Sequence, residues 1–342
     1  MSNPVLIQDE QHQRLEVKLR RELGDQVLRL LDDDLTEDIL LNPDSSLWAK
    51  RMGHGFSRIG EMPAAQAASA LGTIAAWRGT VLNHEHPILE TELPIDGSRF
   101  EGIVSPVVRQ PVFAIRLRPR KIFSLDDYES DGILTDGTDP LNQLRRRDDF
   151  LDGVRGSKHG DVIRAAVRAR KNILIVGSTG SGKTTLVNAI LDSLARLTPN
   201  DRVISIEDTT ELQCPVENYL DLRAVGGVTM LDCLRACMRL KPTRIVVGEV
   251  RGAEAHTLLK AWNTGHPGGA ATVHANDALS GLIRLESLVA EAMNAPQQRL
   301  IAEAVDLVVF VDEESVIKAG RKVREVLLVT GYSNGNYQVE RV

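Results

Sequence analysis

Ile173-Leu-Ile-Val176-Gly177-Ser178-Thr179-Gly180-Ser181-Gly182-Lys183-Thr184-Thr185 is the stretch that decides the fold. Its first four residues predict a buried strand, and the pattern from Thr185 to Leu197 predicts a helix. The segment between them fits G-x-x-x-x-G-K-[ST] in the context this motif requires, after a strand and before a helix. Gly177, Gly180 and Gly182 allow the backbone to fold into a cup of N–H donors, with Ser178, Thr179 and Ser181 completing the loop. Lys183 is expected to reach the outer phosphates of a nucleotide and the Thr184 hydroxyl to ligate Mg²⁺. The helix N-terminus, where Thr185 lies, adds a field favourable to anions.

Phosphate binding does not say what the nucleotide is used for, so the carboxylates downstream carry the next step. In Ile204-Ser-Ile-Glu207-Asp208-Thr-Thr-Glu211 and in Arg244-Ile-Val-Val-Gly-Glu249-Val-Arg251 an apolar strand ends in acidic residues. Strand C-termini of an open parallel sheet converge on the ligand crevice. Glu249 suits a carboxylate that holds Mg²⁺ directly or through water, and Glu207 one that orients or deprotonates an attacking water. Taken alone, each would read as a turn former. His274 ends a third short strand after the glycine-rich Gly265-His-Pro-Gly-Gly. A lone histidine is usually structural; at a strand end it suits a hydrogen bond to the γ-phosphate. Cys233 and Cys237, four apart in a helical stretch, read as core packing rather than a metal site.

Working outward, 342 residues with 41 Lys or Arg and 47 Asp or Glu give a net charge of −6, an ordinary globular balance too long for one core. Acidity on this scale gives no general attraction to polyanions, so direct nucleic-acid binding is expected to be weak or absent. No apolar run reaches membrane-spanning length, the start lacks a signal-peptide pattern, and three cysteines make no framework; the expectation is a cytoplasmic protein. Leu19, Leu23, Val27, Leu30 and Leu31 form one stripe of an amphipathic helix. Short β-like runs at 38–41, 46–49 and 113–117, with an alanine-rich helix over 63–77, predict an α+β domain over residues 1–125. Six acidic residues, no basic one, and Gly132 and Gly137 between Asp126 and Asp139 read as turn and linker, placed at 126–150. Residues 151–342 then alternate helix and strand, which predicts an α/β domain with a mainly parallel sheet.

Four segments in order, GSTGSGKTT (177–185), IEDTTELQC (206–214), RIVVGEVRGAEA (244–255) and TGHPGGAATVHAND (264–277), resemble the Walker A, Asp, Walker B and His boxes of the secretion ATPase superfamily. Within it the likeness is to the ATPases of type IV secretion and conjugation. The resemblance implies ATP with Mg²⁺, a RecA-like P-loop domain after a smaller N-terminal domain, and a homohexameric motor powering conjugative pilus assembly or substrate transfer. It also implies peripheral attachment to the cytoplasmic face of the inner membrane beside other type IV secretion components. Matching arginines of the N-terminal domain, Arg99 and Arg116, would clamp the phosphates and neutralise charge on the γ-phosphoryl group; their bland reading is a pair of surface arginines.

A type II secretion or pilus-extension motor is the alternative within the superfamily. The chain lacks both the C-terminal A-I-R-x-x of retraction motors and the four cysteines of a zinc insertion, which favours the conjugation branch. A nucleotide-dependent switch would not need Glu207 as a base, and a RecA-like DNA-binding protein would want more than 13 aromatic residues. The basic flank Arg145-Arg146-Arg147 stays open between a solvated face and contact with lipid or a partner.

Overall fold

The computed structural model describes residues 4–119, 123–134 and 147–342, with side chains from residue 10 in the first segment and from residue 150 in the last. The chain divides into two units, Met1–Asn142 with Arg239–Lys241, and Gln143–Met238 with Pro242–Val342.

The first unit opens on helix α1 (Pro4–Asp32), whose stripe from Leu19 to Leu31 is buried as its spacing predicts. There follow β1 (Thr36–Leu41), β2 (Ser46–Arg51), β3 (Phe56–Glu61), α2 (Ala64–Trp77), β4 (Ile88–Glu92), β5 (Arg99–Ile103) and β6 (Val112–Arg116). All six strands pair antiparallel in the order β3-β2-β1-β6-β5-β4. The α1 stripe and Ala67, Leu71 and Ile74 of α2 share one core with Ile39, Leu41, Leu47, Phe100 and Phe113 of the sheet. Helix α1 breaks at Gly24, whose φ of +75° suits glycine far better than a residue with a Cβ. Helix α2 serves the polar groups beside the break: Gln66 Nε2 donates to the Glu22 carbonyl at 2.7 Å, and Thr73 Oγ1 donates to Glu22 Oε2 at 2.6 Å.

Part of the stretch that reads as linker is instead a short helix, α3 (Leu125–Ser130). The Asp127 N–H donates to Ser124 Oγ at 3.0 Å and the Ser124 N–H to Asp127 Oδ2 at 2.8 Å, a reciprocal capping box. Asp126 and Asp127 also face the positive end of the helix dipole. The acidic run that argues against an element is therefore the chemistry of a helix start. Residues 135–146, with Arg145 and Arg146 of the basic flank, lie outside the described residues.

The second unit contains α4 (Arg147–Val154), α5 (His159–Arg168), β7 (Ile173–Val176), α6 (Lys183–Leu197), β8 (Val203–Glu207), β9 (Tyr219–Arg223), α7 (Met230–Arg239), β10 (Arg244–Val247), α8 (Glu254–Asn263) and β11 (Ala270–Val273). It ends with α9 (Ala278–Met293), α10 (Gln298–Ala304), β12 (Leu307–Glu313), β13 (Arg321–Ser333) and β14 (Asn336–Arg341). Its eight strands run β14-β13-β12-β7-β11-β10-β8-β9. The six from β12 to β9 are parallel, and β13 and β14 extend the edge antiparallel. The sheet is thus mainly parallel, as the alternation of elements predicts. Strands β7, β10 and β11 are buried at every position, the mark of strands covered on both faces.

Polar clasps hold the N-terminal ends of these strands together. The Asn172 side chain donates to the Ala304 carbonyl at 2.7 Å and accepts from the Gly268 and Gly269 N–H groups at 2.7 and 3.1 Å. Arg244, fully buried, donates to Asp201 at 2.6 Å and to the carbonyls of Gly268 and Val167 at 3.0 Å each. A Cβ on Gly269 would meet the Ile245 carbonyl at 2.1 Å, so the glycines before β11 serve this close packing. The opposite, C-terminal ends of the strands are left for chemistry. Cys233 and Cys237 of α7 are fully buried in core, in keeping with their reading as packing residues.

Candidate functional site

The loop from Gly177 to Gly182 joins β7 to α6 and forms the floor of a cleft of about 410 Å³ within the second unit. Gly180 and Gly182 have φ of +80° and +95°, a region that L side chains rarely adopt. At Gly177 the limit is space: a Cβ would meet the Val311 carbonyl at 2.3 Å and Ser181 Oγ at 2.4 Å. Lys183 begins α6 and is almost wholly buried; its ammonium donates to the carbonyls of Gly177 at 3.0 Å and Ser178 at 2.7 Å. Burial lowers its pKa, while the nearby Glu249 carboxylate opposes that shift. Thr179, Thr184 and Thr185 line the same cleft.

Strand ends β8, β10 and β11 bring three further groups to it. His274 bridges Lys183 and Glu249, with Nδ1 at 3.2 Å from Lys183 Nζ and Nε2 at 3.1 Å from Glu249 Oε1. A neutral ring protonated on Nε2 satisfies both contacts, accepting from the ammonium and donating to the carboxylate. Burial pushes the Glu249 carboxyl up, but the Arg251 hydrogen bond at 2.7 Å, the facing His274 ring and the charges of Arg251 and Lys183 outweigh it, and its pKa is lowered. Glu207 behaves oppositely. It is 4% exposed, and burial raises its pKa despite two backbone hydrogen bonds to Oε1, from Glu211 N at 3.0 Å and Leu212 N at 3.1 Å. Gly248 leaves room for it, since a Cβ there would meet Glu207 Cγ at 3.0 Å.

Two arginines that motif spacing does not nominate also line the cleft. Arg251 donates to Asp208 at 2.6 Å and to Glu249 at 2.7 Å, tying the ends of β8 and β10 together. Its turn is held by Glu254, which accepts from the Arg251 and Gly252 N–H groups at 2.7 and 2.9 Å. The only sequence signal for it is a charge two residues past a strand-end carboxylate. Arg321, at the start of β13, donates to Thr185 Oγ1 at 2.7 Å. Arg99 and Arg116 belong to the first unit, where they face each other in register on β5 and β6.

A mainly parallel sheet with a phosphate loop after β7 and carboxylates at the ends of β8 and β10 defines a P-loop nucleotide-binding protein. The sequence profile of the family "Type II/IV secretion system protein" matches residues 152–318. The probable conjugal transfer protein TrbB of Sinorhizobium fredii is 44% identical over 329 residues, 96% of this chain and 94% of that protein. The type IV secretion system protein VirB11 of Bartonella quintana is 31% identical over 255 residues, 68% of this chain and 70% of that protein. Among solved structures, the VirB11 ATPase of the Brucella suis type IV secretion system, in complex with sulphate, superposes with a TM-score of 0.80 at 25% identity, covering 93% of this chain and 96% of that one. The chain belongs to the type II/IV secretion system protein family, with conjugal-transfer proteins among its relatives, and is an ATPase of that family. The fold class and the family expected from the four boxes are borne out.

Proposed function

We propose that the chain is a homohexameric motor that hydrolyses ATP to drive conjugative pilus assembly or substrate transfer through a type IV secretion system. The observation that carries hydrolysis in this reading is the placement of two carboxylates around the phosphate loop, Glu249 in contact with His274 and Arg251, and Glu207 buried with one oxygen held by two backbone N–H groups. Glu249, ringed by Lys183, His274 and Arg251, stays ionised, whereas buried Glu207 has the raised pKa of a proton acceptor. Separated pKa values of this kind are how one site divides charge stabilisation from proton transfer. On this reading Glu207 takes the proton of the attacking water, Lys183 neutralises the β- and γ-phosphates, and His274 reports the γ-phosphate through its link between Lys183 and Glu249.

The donor set suits Mg²⁺. A Thr184 hydroxyl and one carboxylate are few protein ligands, as expected for an ion that keeps most of its waters, and both Glu249 oxygens already have partners, which favours contact through water. Mg²⁺ held there would neutralise charge on the phosphates. Residues 151–342 would act as the RecA-like motor domain, 1–125 as the closing domain and 126–150 as the linker. Across β1, β6 and β5 the row reads Asp38, Arg116, Arg99, and neither arginine has an ion pair among the described residues. Asp38 is itself paired with Lys241 at 3.1 Å, so the opposed arginines keep a like-charge contact that a bound anion would relieve, which supports Arg116 and Arg99 as phosphate clamps.

No helix among the described residues is long and apolar enough to cross a membrane. The likeness to conjugal-transfer and type IV secretion proteins supports work at the inner membrane by peripheral attachment on the cytoplasmic side, beside other type IV secretion components. Lys183→Ala tests the reading: phosphate release is expected to fall by at least about 10²-fold while the thermal midpoint moves by a few degrees at most. A Lys183→Ala protein that turns over ATP at the normal rate overturns it.

A further inference from the structure

The cleft contains one cation that the reading above leaves without a task. Arg321 reaches the phosphate loop from β13, donating through Nη1 to Thr185 Oγ1 at 2.7 Å and through Nε to the Ala319 carbonyl at 3.3 Å. It forms no ion pair among the described residues, so its charge is uncommitted, and it is exposed at the cleft wall. Its approach is close: a Cβ on Gly182 would meet both Cδ and Nη1 of Arg321 at 2.5 Å. Glu313, opposite Arg321 in the β12–β13 register, brings its carboxylate within 3.7 Å of where a Gly180 Cβ would stand. A polyphosphate near that carboxylate needs a cation beside it.

Strand order decides which phosphate Arg321 faces. His274, Glu249 and Glu207 follow β11, β10 and β8, all on one side of β7, whereas Arg321 stands on β13, beyond β12 on the other side. Lys183, linked through His274 to Glu249, marks where the terminal phosphate is held. The far end of the chain, the α-phosphate, then falls toward Thr185 and β13.

We propose that Arg321 is a nucleotide-binding residue whose guanidinium, set by Thr185, holds the α-phosphate of a nucleoside di- or triphosphate. The proposal rests on the cleft being the ATP site. Because the α-phosphate gains little charge as the γ-phosphoryl group transfers, Arg321 stabilises ground and transition states alike. It therefore acts on affinity rather than on turnover, unlike Lys183 and Glu207.

The test uses the full-length protein, with calorimetric titration of ATP and of ADP and steady-state kinetics of phosphate release. Arg321→Ala should weaken both nucleotides by about ten- to a hundred-fold and raise KM in step, with kcat within about two-fold of wild type. Arg321→Lys should recover part of the affinity, since it keeps the charge but not the fork. Arg321→Gln, which keeps a polar donor on a shorter stem without the charge, should match the alanine variant. Unchanged ADP affinity, or a loss confined to ATP, overturns the assignment to the α-phosphate. If wild type binds neither nucleotide, or Lys183→Ala binds both as well as wild type, the ATP reading of the cleft fails first and the role of Arg321 falls with it.

Discussion

Glu207 and Glu249 are both glutamates at strand ends, yet their surroundings give them different chemistry. Oε1 of Glu207 is occupied by two backbone N–H groups, so the carboxylate has a fixed orientation and Oε2 remains for a water. Glu207→Gln keeps shape and one acceptor but loses basicity. ATP affinity should stay within a few-fold while hydrolysis falls by about 10² to 10⁴; parallel loss of both would make Glu207 a binding residue. The pH profile gives an independent check. A base acts in its ionised form, and burial raises the pKa of Glu207, so the wild-type rate should decline on acidification at a pH above the ordinary glutamate range. In Glu207→Gln that acid limb should vanish. Lys183, Glu207, Glu249 and His274 are legible as cleft residues because a phosphate loop after a strand places its neighbours at the C-termini of the adjoining strands. Arg251 and Arg321 are not, because their roles depend on a turn held by Glu254 and on a hairpin folding back onto the loop, neither of which has a spacing rule.

At the level of elements, strands that are mostly apolar, buried at every position and next to motif residues, β7, β8, β10 and β11, could be read directly. The sheet's edge could not: β13 mixes exposed and buried positions without strict alternation, and its register with β12 and β14 shifts at irregularities. The linker reading missed α3 because acidic residues favour helix starts as well as solvated turns. A tighter constraint lies where α9 meets β7. A Cβ on Gly281 would meet Val176 Cγ2 at 2.4 Å, and Val176, rigid at χ1 and locked in the central strand, immediately precedes the phosphate loop. Gly281→Ala gains about 1 kcal/mol in helix propensity but overpacks a buried contact at about 1–3 kcal/mol. The net expectation is a loss of up to about 2 kcal/mol, read as a lower denaturant midpoint at constant m-value, with a raised KM for ATP as the strand shifts. An increase in stability would show that the helix relaxes freely and that the glycine is not required for close packing.

For the whole molecule the open question is whether hydrolysis needs both units. The second unit contains the phosphate loop, Glu207, Glu249 and His274, the groups that the proposed reading assigns to nucleotide binding and to activating a water. Arg99 and Arg116 of the first unit carry two positive charges side by side on adjacent strands, with Asp38 completing the row. If the first unit supplies them to the γ-phosphoryl group, their effect should grow toward the transition state, where charge on that group develops. Arginines in this role contribute about 10³ to 10⁵ in rate where they have been measured. In the full-length protein Arg116→Ala should therefore lower kcat by about that order, with ATP affinity reduced far less and Arg99→Ala intermediate. Mass measurement of the assembled protein separates this from a loss of oligomer. A variant that keeps the wild-type assembly but is slow supports the clamp, while one that loses it assigns Arg116 to assembly. Hydrolysis by Arg116→Ala at the wild-type rate would confine catalysis to the second unit and leave the first with a docking role.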